Sequence, residues 1–336
     1  MQLTLVIPGL LDLASSTLAS LDPHVPALSR LLAASGPPET EQDGLIAAAC
    51  RACGIARQDD WPVAPWLARA ANIDPEGAYW LCAEPATLVV GADDVRLEAL
   101  VGNLSLEDAQ ALVALLNAHF AADDLAFIAP SHAHWLVRTP FPQRLSTRAP
   151  EAAIGAPLMP LLPSGPDAPR WRRWYSELQM LLFEHDVNLK RQHAGEAPVN
   201  SVWLWGGGAS SRRSAAASIF SRDARVRELA RGSGIEVAPP RSFDQLSEAG
   251  AASVWLDPIT TQTAHGDLAA IDRAWLGPIE RSMGAQGLAV EIIVGGHDRT
   301  LRFFPRRSSL VRRWRARFST PRFSQLLAGI SSELAI

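Results

Sequence analysis

Lysine is almost missing from this chain: Lys190 is the only one, against 31 basic residues in all. Arginine is therefore the default cation, and an arginine-rich run is not by itself a specialised feature. Cysteine is nearly as scarce, and three cysteines exclude a disulfide-dense framework. A chain of 336 residues can bury a full core without such staples. Positive charge is not in excess either. The formal net charge of −4 and a pI near 6.1 argue against a dedicated nucleic-acid binder. No apolar run approaches the length of about 20 residues that a membrane span needs. The apolar opening from Met1 to Leu11 is too short to span and has no basic leader, so Leu3 to Gly9 reads as a buried first strand ending in a turn. The expectation is a cytoplasmic protein without a membrane span and with nucleic acid disfavoured as a partner.

What is present is an ordinary globular composition. Hydrophobic residues make up 48% and charged residues 20%, away from disordered chains. Cys50 and Cys53 form a C-x-x-C, a spacing that can serve redox or zinc chemistry. The pair follows the small-residue helical run Leu45 to Ala49, without the aromatic and proline setting of a redox motif. Zinc would also need two further ligands. Packing is the expected role.

Along the chain, Leu28 to Pro75 carries helical periodicity broken by Gly36-Pro37-Pro38 and by Pro62, Pro65 and Pro75. Tyr79 to Ala83 and Thr87 to Gly91 read as short β-prone runs separated by a turn at Glu84-Pro85. Ser105 fits the N-cap of a helix with acids in its first turn and Leu112, Leu115 and Leu116 as its apolar stripe. Leu125 to Ile128 and Trp135 to Arg138 are two more strands. Prolines at 150, 157, 160, 163, 166 and 169 make residues 148–170 the candidate linker. A helix is expected over Trp171 to Arg191. Strands then alternate with helices: strands at 201–205, 252–256, 288–294 and 300–304, helices at 211–232 and 267–283. Such alternation indicates parallel βαβ units, with ligands at the carboxyl ends of strands.

The expected fold class is therefore α/β, a mostly parallel sheet flanked by helices, with a smaller α+β part in the N-terminal half. The expected organisation is an N-terminal region over 1–147 with the first core strand, the linker at 148–170, and a C-terminal α/β region over 171–336. No internal repeat is present.

The most distinctive stretch runs from Glu177 to Gly208. Its glycine run, Gly206-Gly207-Gly208, could bring backbone N–H groups to an anion with help from Ser210, Ser211, Arg212 and Arg213. It is neither G-x-G-x-x-G nor a P-loop, and a glycine turn leaving a sheet is the plain alternative. His185-Asp186-Val187-Asn188, Gly195, Pro198-Val199-Asn200 and Trp205 to Gly208 together resemble a segment of the archaeal-type cofactor-independent phosphoglycerate mutases, members of the alkaline-phosphatase superfamily. The family pattern has two asparagines and then arginine-glycine. Asn188 and Asn200 match, while Trp205 stands where the arginine would grip a phosphate.

The resemblance implies an α/β fold of that type and a two-ion metal site, most of whose ligands are replaced here. Pro8 stands at a carboxylate position of the first strand's exit while Asp12 is retained. Thr261 to His265 keeps only the histidine of an Asp-x-x-x-His motif, and the late Asp-His pair is Gly296-His297. No serine nucleophile is evident in the matching early region. Two closely spaced ions need several anionic oxygens, and Asp12, His265 and His297 would hold at most one, loosely.

A resemblance over nearly the whole chain is to a bacterial regulatory family named for its place in pathogenicity-factor regulation clusters, the E protein of that cluster. It rests on Tyr79 to Pro85, Trp135 to Arg138 and Glu177 to Gly208.

Those resemblances imply a catalytically degenerate mutase-like protein acting in regulation by binding a small ligand or a protein, with no cofactor. The alternative is an active metal-dependent phosphomutase or phosphatase with a reduced site for manganese or zinc. Candidate pocket residues are Asp12, Asn188, Asn200, Trp203, Trp205, Asp257, His265 and His297. Trp203 and Trp205 share one strand face and read as core or as an aromatic pocket. Asp257 precedes Pro258, so a turn is its plain alternative. His132 and His134 read as solvated loop residues.

A third possibility is a scaffold that binds anionic surfaces through the stretch Arg299 to Arg322, which holds nine arginines and no acid. Its candidate anion-binding residues are Arg312, Arg313 and Arg315. Salt-sensitive binding to anionic lipid or nucleic acid, lost on replacing those three, is the measurement that would establish such a partner.

Overall fold

The apolar opening becomes a strand, Gln2–Ile7, buried at Leu3 and from Leu5 onward. The computed structural model describes residues 2–91, 94–214, 217–240, 242–246, 251–285, 287–306 and 322–327. Its strands, in chain order, are β1 (Gln2–Ile7), β2 (Glu39–Glu41), β3 (Tyr79–Val90), β4 (Val95–Leu100), β5 (Ala126–Ile128) and β6 (Leu136–Thr139). They continue with β7 (Ser201–Ala209), β8 (Ser218–Phe220), β9 (Val237–Ala238), β10 (Ala251–Trp255), β11 (Ala289–Gly295) and β12 (Thr300–Phe303). The protein is mixed α/β, as its alternating pattern predicts. It divides into unit 1, Met1–Ala52 with Ala216–Ala230 and Ile235–Ile336, and unit 2, Cys53–Ala215 with Arg231–Gly234.

That division differs from the expected one. Residues 148–170 lie wholly inside unit 2, where they form bridges rather than a spacer: Ile154 faces Leu97, Pro157 faces Arg96 and Ser164 faces Ser146. Proline excludes long regular elements but not packing of the chain against a sheet edge. Nor is there a large core with a small insertion, since the two units are of comparable size.

Unit 1 holds a seven-stranded sheet in the order β2-β12-β11-β1-β10-β8-β9. The strands from β11 to β9 are parallel, and β12 and β2 are antiparallel at one edge. Leu5 stands level with Val254 and Ile292, and near-continuous apolar runs such as these suit a sheet buried on both faces. Leu28, Leu31 and Leu32 of helix Pro26–Ala33 join these strands in one hydrophobic cluster. That helix begins with a proline and has no cap from its own N-cap side chain. Asp272 supplies the cap instead, accepting from Ala27 N at 3.2 Å and Leu28 N at 2.8 Å. It opens a π turn, Asp272–Leu276, inside the helical stretch 264–285, which the periodicity reads as one helix.

Unit 2 is built on β3, flanked by β4, β6 and β7 in antiparallel pairing, with β5 beyond β6. Glu84-Pro85 is not a turn: pairing with β7 runs straight through it, Glu84 opposite Trp203 and Pro85 opposite Val202. The expected helix over 171–191 is two, Ala168–Phe183 and Asp186–His193, with the His185 ring accepting from Val187 N to cap the second. The expected helix over 211–232 shrinks to Ala224–Gly232, preceded by β8, with the Asp223 carboxylate accepting from Val226 N. Ser105 caps helix Leu106–Phe120 as the sequence implies.

A buried carboxylate organises unit 2. Asp60 Oδ1 accepts from Trp61 N at 2.8 Å, while Oδ2 accepts from Thr147 N at 3.0 Å, from the Thr147 hydroxyl and from Gly207 N at 3.4 Å. Thr147 Oγ1 in turn accepts from Gly206 N at 2.9 Å. Gly206 has φ +67°, and a Cβ at Gly208 would stand 2.4 Å from that of Pro62. The glycine run therefore lets the chain at 60–63 lie directly on β7.

Burial pushes the Asp60 carboxyl above its ordinary range despite these donors. The folded chain then holds this proton to higher pH than the unfolded chain, so the group's contribution to stability falls as pH rises from the unfolded value through the folded one. Asp60→Ala is expected to cost about 3 kcal/mol by leaving buried donors unpaired. In urea unfolding across a pH series, the wild-type advantage should be largest at the acidic end of that window.

Candidate functional site

In a parallel sheet the loops leaving the carboxyl ends of adjacent strands are brought side by side. Unit 1 does this with β1, β10 and β11. Ile259 N donates to Pro8 O at 2.9 Å, tying the exits of β10 and β1 together. Gly9 follows with φ +80°, and a Cβ there would lie 2.3 Å from Ile259 O. Only glycine fits this turn, which delivers the chain into the short helix Leu10–Asp12.

Asp12 at that turn meets His297 from the exit of β11. His297 Nδ1 lies 2.7 Å from Asp12 Oδ2, and His297 N donates to Asp12 Oδ1 at 2.9 Å. Both carboxylate oxygens are thus engaged by one residue. When Nδ1 carries the proton toward Asp12, the lone pair of the neutral ring sits on Nε2. The pair can orient an imidazole, but among the described residues no hydroxyl or thiol is hydrogen-bonded to that second nitrogen.

The neighbouring position is tight. A Cβ on Gly296 would stand 2.9 Å from Asp12 Oδ1 and 2.9 Å from Leu11 Cβ. A side chain at 296 would displace Asp12 from its present place.

His265 does not join this pair as a third ligand. It lies in the first turn of helix Ala264–Ile271, its Nε2 is 3.1 Å from Ser20 Oγ, and its ring meets that of His24 edge-on at 6.1 Å. Thr261 is exposed in the turn before that helix, where Thr260 and Thr263 hydrogen-bond each other. Asp257, at the exit of β10, pairs with Arg222 at 2.9 Å. Both side chains are more than half exposed, so the pair contributes little to stability. Among the described residues no group of three or more His, Cys, Asp or Glu is arranged to hold a metal ion.

The remaining candidates belong to unit 2, and there the polar side-chain atoms of Asn188, Asn200 and Trp203 are spent on the backbone. Asn188 is fully buried. Its amide donates to Leu182 O at 2.6 Å and Val199 O at 2.8 Å and accepts from Val199 N at 2.8 Å. Asn200 pairs with both the N–H and the C=O of Leu88, imitating a strand partner. Trp203 and Trp205 are buried, with Trp203 Nε1 donating to Arg148 O at 2.8 Å. All four have roles in holding the fold. The N–H groups of Gly206 and Gly207 are likewise taken by Thr147 and Asp60 and cannot cradle an anion. Cys50 and Cys53 are both buried, and burial pushes the Cys53 thiol up to about 12. Arg312, Arg313 and Arg315 lie outside the described residues.

Asp60 was the residue least visible in sequence, because nothing near it announces a partner as distant as Thr147. No described helix is long and apolar enough to cross a membrane.

No family model matches the chain, and no curated protein matches it. Among solved structures it is similar to the cofactor-independent phosphoglycerate mutase from Thermoplasma acidophilum DSM 1728, at 17% identity over 92% of this chain and 90% of that one, with a TM-score of 0.44. It is also similar to the PH0037 protein from Pyrococcus horikoshii, at 13% identity over 90% of this chain and 87% of that one, with a TM-score of 0.47.

Because Asn188 serves three backbone groups, Asn188→Ala is expected to destabilise the protein by about 2–4 kcal/mol. A wild-type urea midpoint in that variant would contradict the structural role.

Proposed function

We propose that the chain is a binding protein on a phosphoglycerate-mutase-like scaffold, with a degenerate ion site, acting in regulation through a small ligand or a protein partner. The fate of Asp12 carries this reading: the one carboxylate retained at the exit of the first strand is occupied by His297, beside a glycine position where a second acid would have to displace it.

Two adjacent divalent ions need several anionic oxygens to offset their charge. Asp12 and His297 offer one carboxylate and one imidazole. His265, held by Ser20, adds nothing to them. The donor set does not fit a two-ion centre. The regulatory part of the proposal rests on the phrases Tyr79 to Pro85, Trp135 to Arg138 and Glu177 to Gly208. The mutase-like part rests on Asn188 to Gly208 and on the parallel sheet of unit 1.

The test is to load the purified protein with manganese or zinc, remove free ion, and measure bound metal together with phosphomutase and phosphatase turnover. The expected outcome is less than stoichiometric metal and no turnover. Stoichiometric metal with turnover abolished by His265→Ala would replace this proposal with the active-enzyme alternative.

A further inference from the structure

On leaving β7 the chain passes through Ser210, Ser211, Arg212 and Arg213, which line a cavity of about 510 Å³ built wholly from unit 2. Opposite them stand Trp66 and Arg69 of helix Val63–Ala70, with Glu76 beyond. Three guanidinium groups therefore share the wall with a single carboxylate.

That carboxylate is already committed. Glu76 Oε1 accepts from Ser210 Oγ at 2.7 Å and from Arg69 Nη2 at 3.2 Å, and Arg69 also reaches Ser210 Oγ at 3.1 Å. Arg69 is held over the Trp66 ring, 4.9 Å from its centre. Arg212 and Arg213, both exposed, have no carboxylate partner among the described residues.

Two donors in the wall are also unsatisfied. Trp66 is 3% exposed and its Nε1 has no hydrogen-bond partner among the described residues. The buried Ser211 Oγ has none either. Native proteins rarely leave such groups unpaired. The wall thus offers guanidinium donors, while its carboxylate is used up and the unpaired hydroxyl and indole N–H of its residues are shut off from solvent. Such a set selects a ligand made of acceptors and carrying negative charge. The neighbouring thiol does not compete as an anion, since burial keeps Cys53, which bonds Ser233 of the same wall, protonated at neutral pH.

We propose that this cavity binds a phosphorylated small molecule, its phosphoryl group held by Arg212 and Arg213. The volume exceeds what a phosphoryl group alone fills and falls in the range of small-molecule sites, leaving room for an organic part. The site does not depend on the ion-site reading of unit 1, because none of its residues belongs to that unit.

Calorimetric titration with inorganic phosphate at low ionic strength tests it on the full chain. Wild-type protein is expected to bind at roughly millimolar concentration, and Arg212→Ala and Arg213→Ala each to weaken binding about tenfold, the loss of one charge-assisted contact. The double variant should lose binding while keeping the wild-type unfolding midpoint, as neither arginine has an ion pair to give up. Glu76→Gln supplies an independent readout, since removing the wall's carboxylate should tighten phosphate. Absence of phosphate binding by the wild type, retention in the double variant, or no tightening in Glu76→Gln would each overturn the proposal.

Discussion

The carboxylate of Asp60 is the constraint on which unit 2 depends. Burying an ionisable group is costly unless donors surround it. Here they come from three stretches far apart in sequence: Trp61 beside it, Thr147, and Gly207 of β7. The price of that arrangement is side-chain space. A Cβ at Gly207 would lie 2.3 Å from Tyr79 Oη, and one at Gly208 would collide with Pro62. The glycine run is thereby explained as a packing device. By holding the chain at 60–63 against β7, the same contact fixes where helix Val63–Ala70 starts and where β7 ends. Those two places carry the facing walls of the arginine-lined cavity.

Unit 1 illustrates the difference between a scaffold and its chemistry. Parallel strands bring the turn at Gly9, the loop at Asp257 and the His297 turn to one edge, and this topology follows from buried apolar strands. What the edge can bind is decided by a few side chains. With Pro8, Thr261 and Gly296 at three of its positions, the edge keeps a carboxylate–histidine contact that satisfies itself. An acid whose two oxygens are engaged by one histidine must share or give up those contacts to bind an ion.

Much of the framework was legible in the sequence because its signals are local. The strands of unit 1 are short apolar runs, and Ser105 with Asp108 three residues on is a complete helix start. Failures occurred where a distant partner overrides a local signal. Pro85 reads as a turn, yet Trp203 and Val202 on β7 keep residues 84 and 85 extended. Asp272 interrupts a helix because it caps another helix some 245 residues away in sequence. Asn188 reads in the sequence as a ligand contact, and its actual partners are the backbone of Leu182 and of Val199, 11 residues on. An asparagine that must bind three backbone groups and one that must bind substrate look the same in a single sequence.

The glycine–serine–arginine stretch after β7 shows how such a motif separates into parts with different physics. Its backbone N–H groups at 206 and 207 are spent internally, so an anion cannot be held there by the main chain. Its side chains at 211–213 are not spent. An anion site made of side chains rather than backbone differs in kind: exposed guanidinium groups are screened by salt and lose conformational entropy on binding, whereas amides in a glycine loop are fixed in advance. The cavity should therefore bind weakly and with strong dependence on ionic strength unless the organic part of the ligand adds contacts of its own. A site of that kind fills and empties with the concentration of its ligand rather than retaining it.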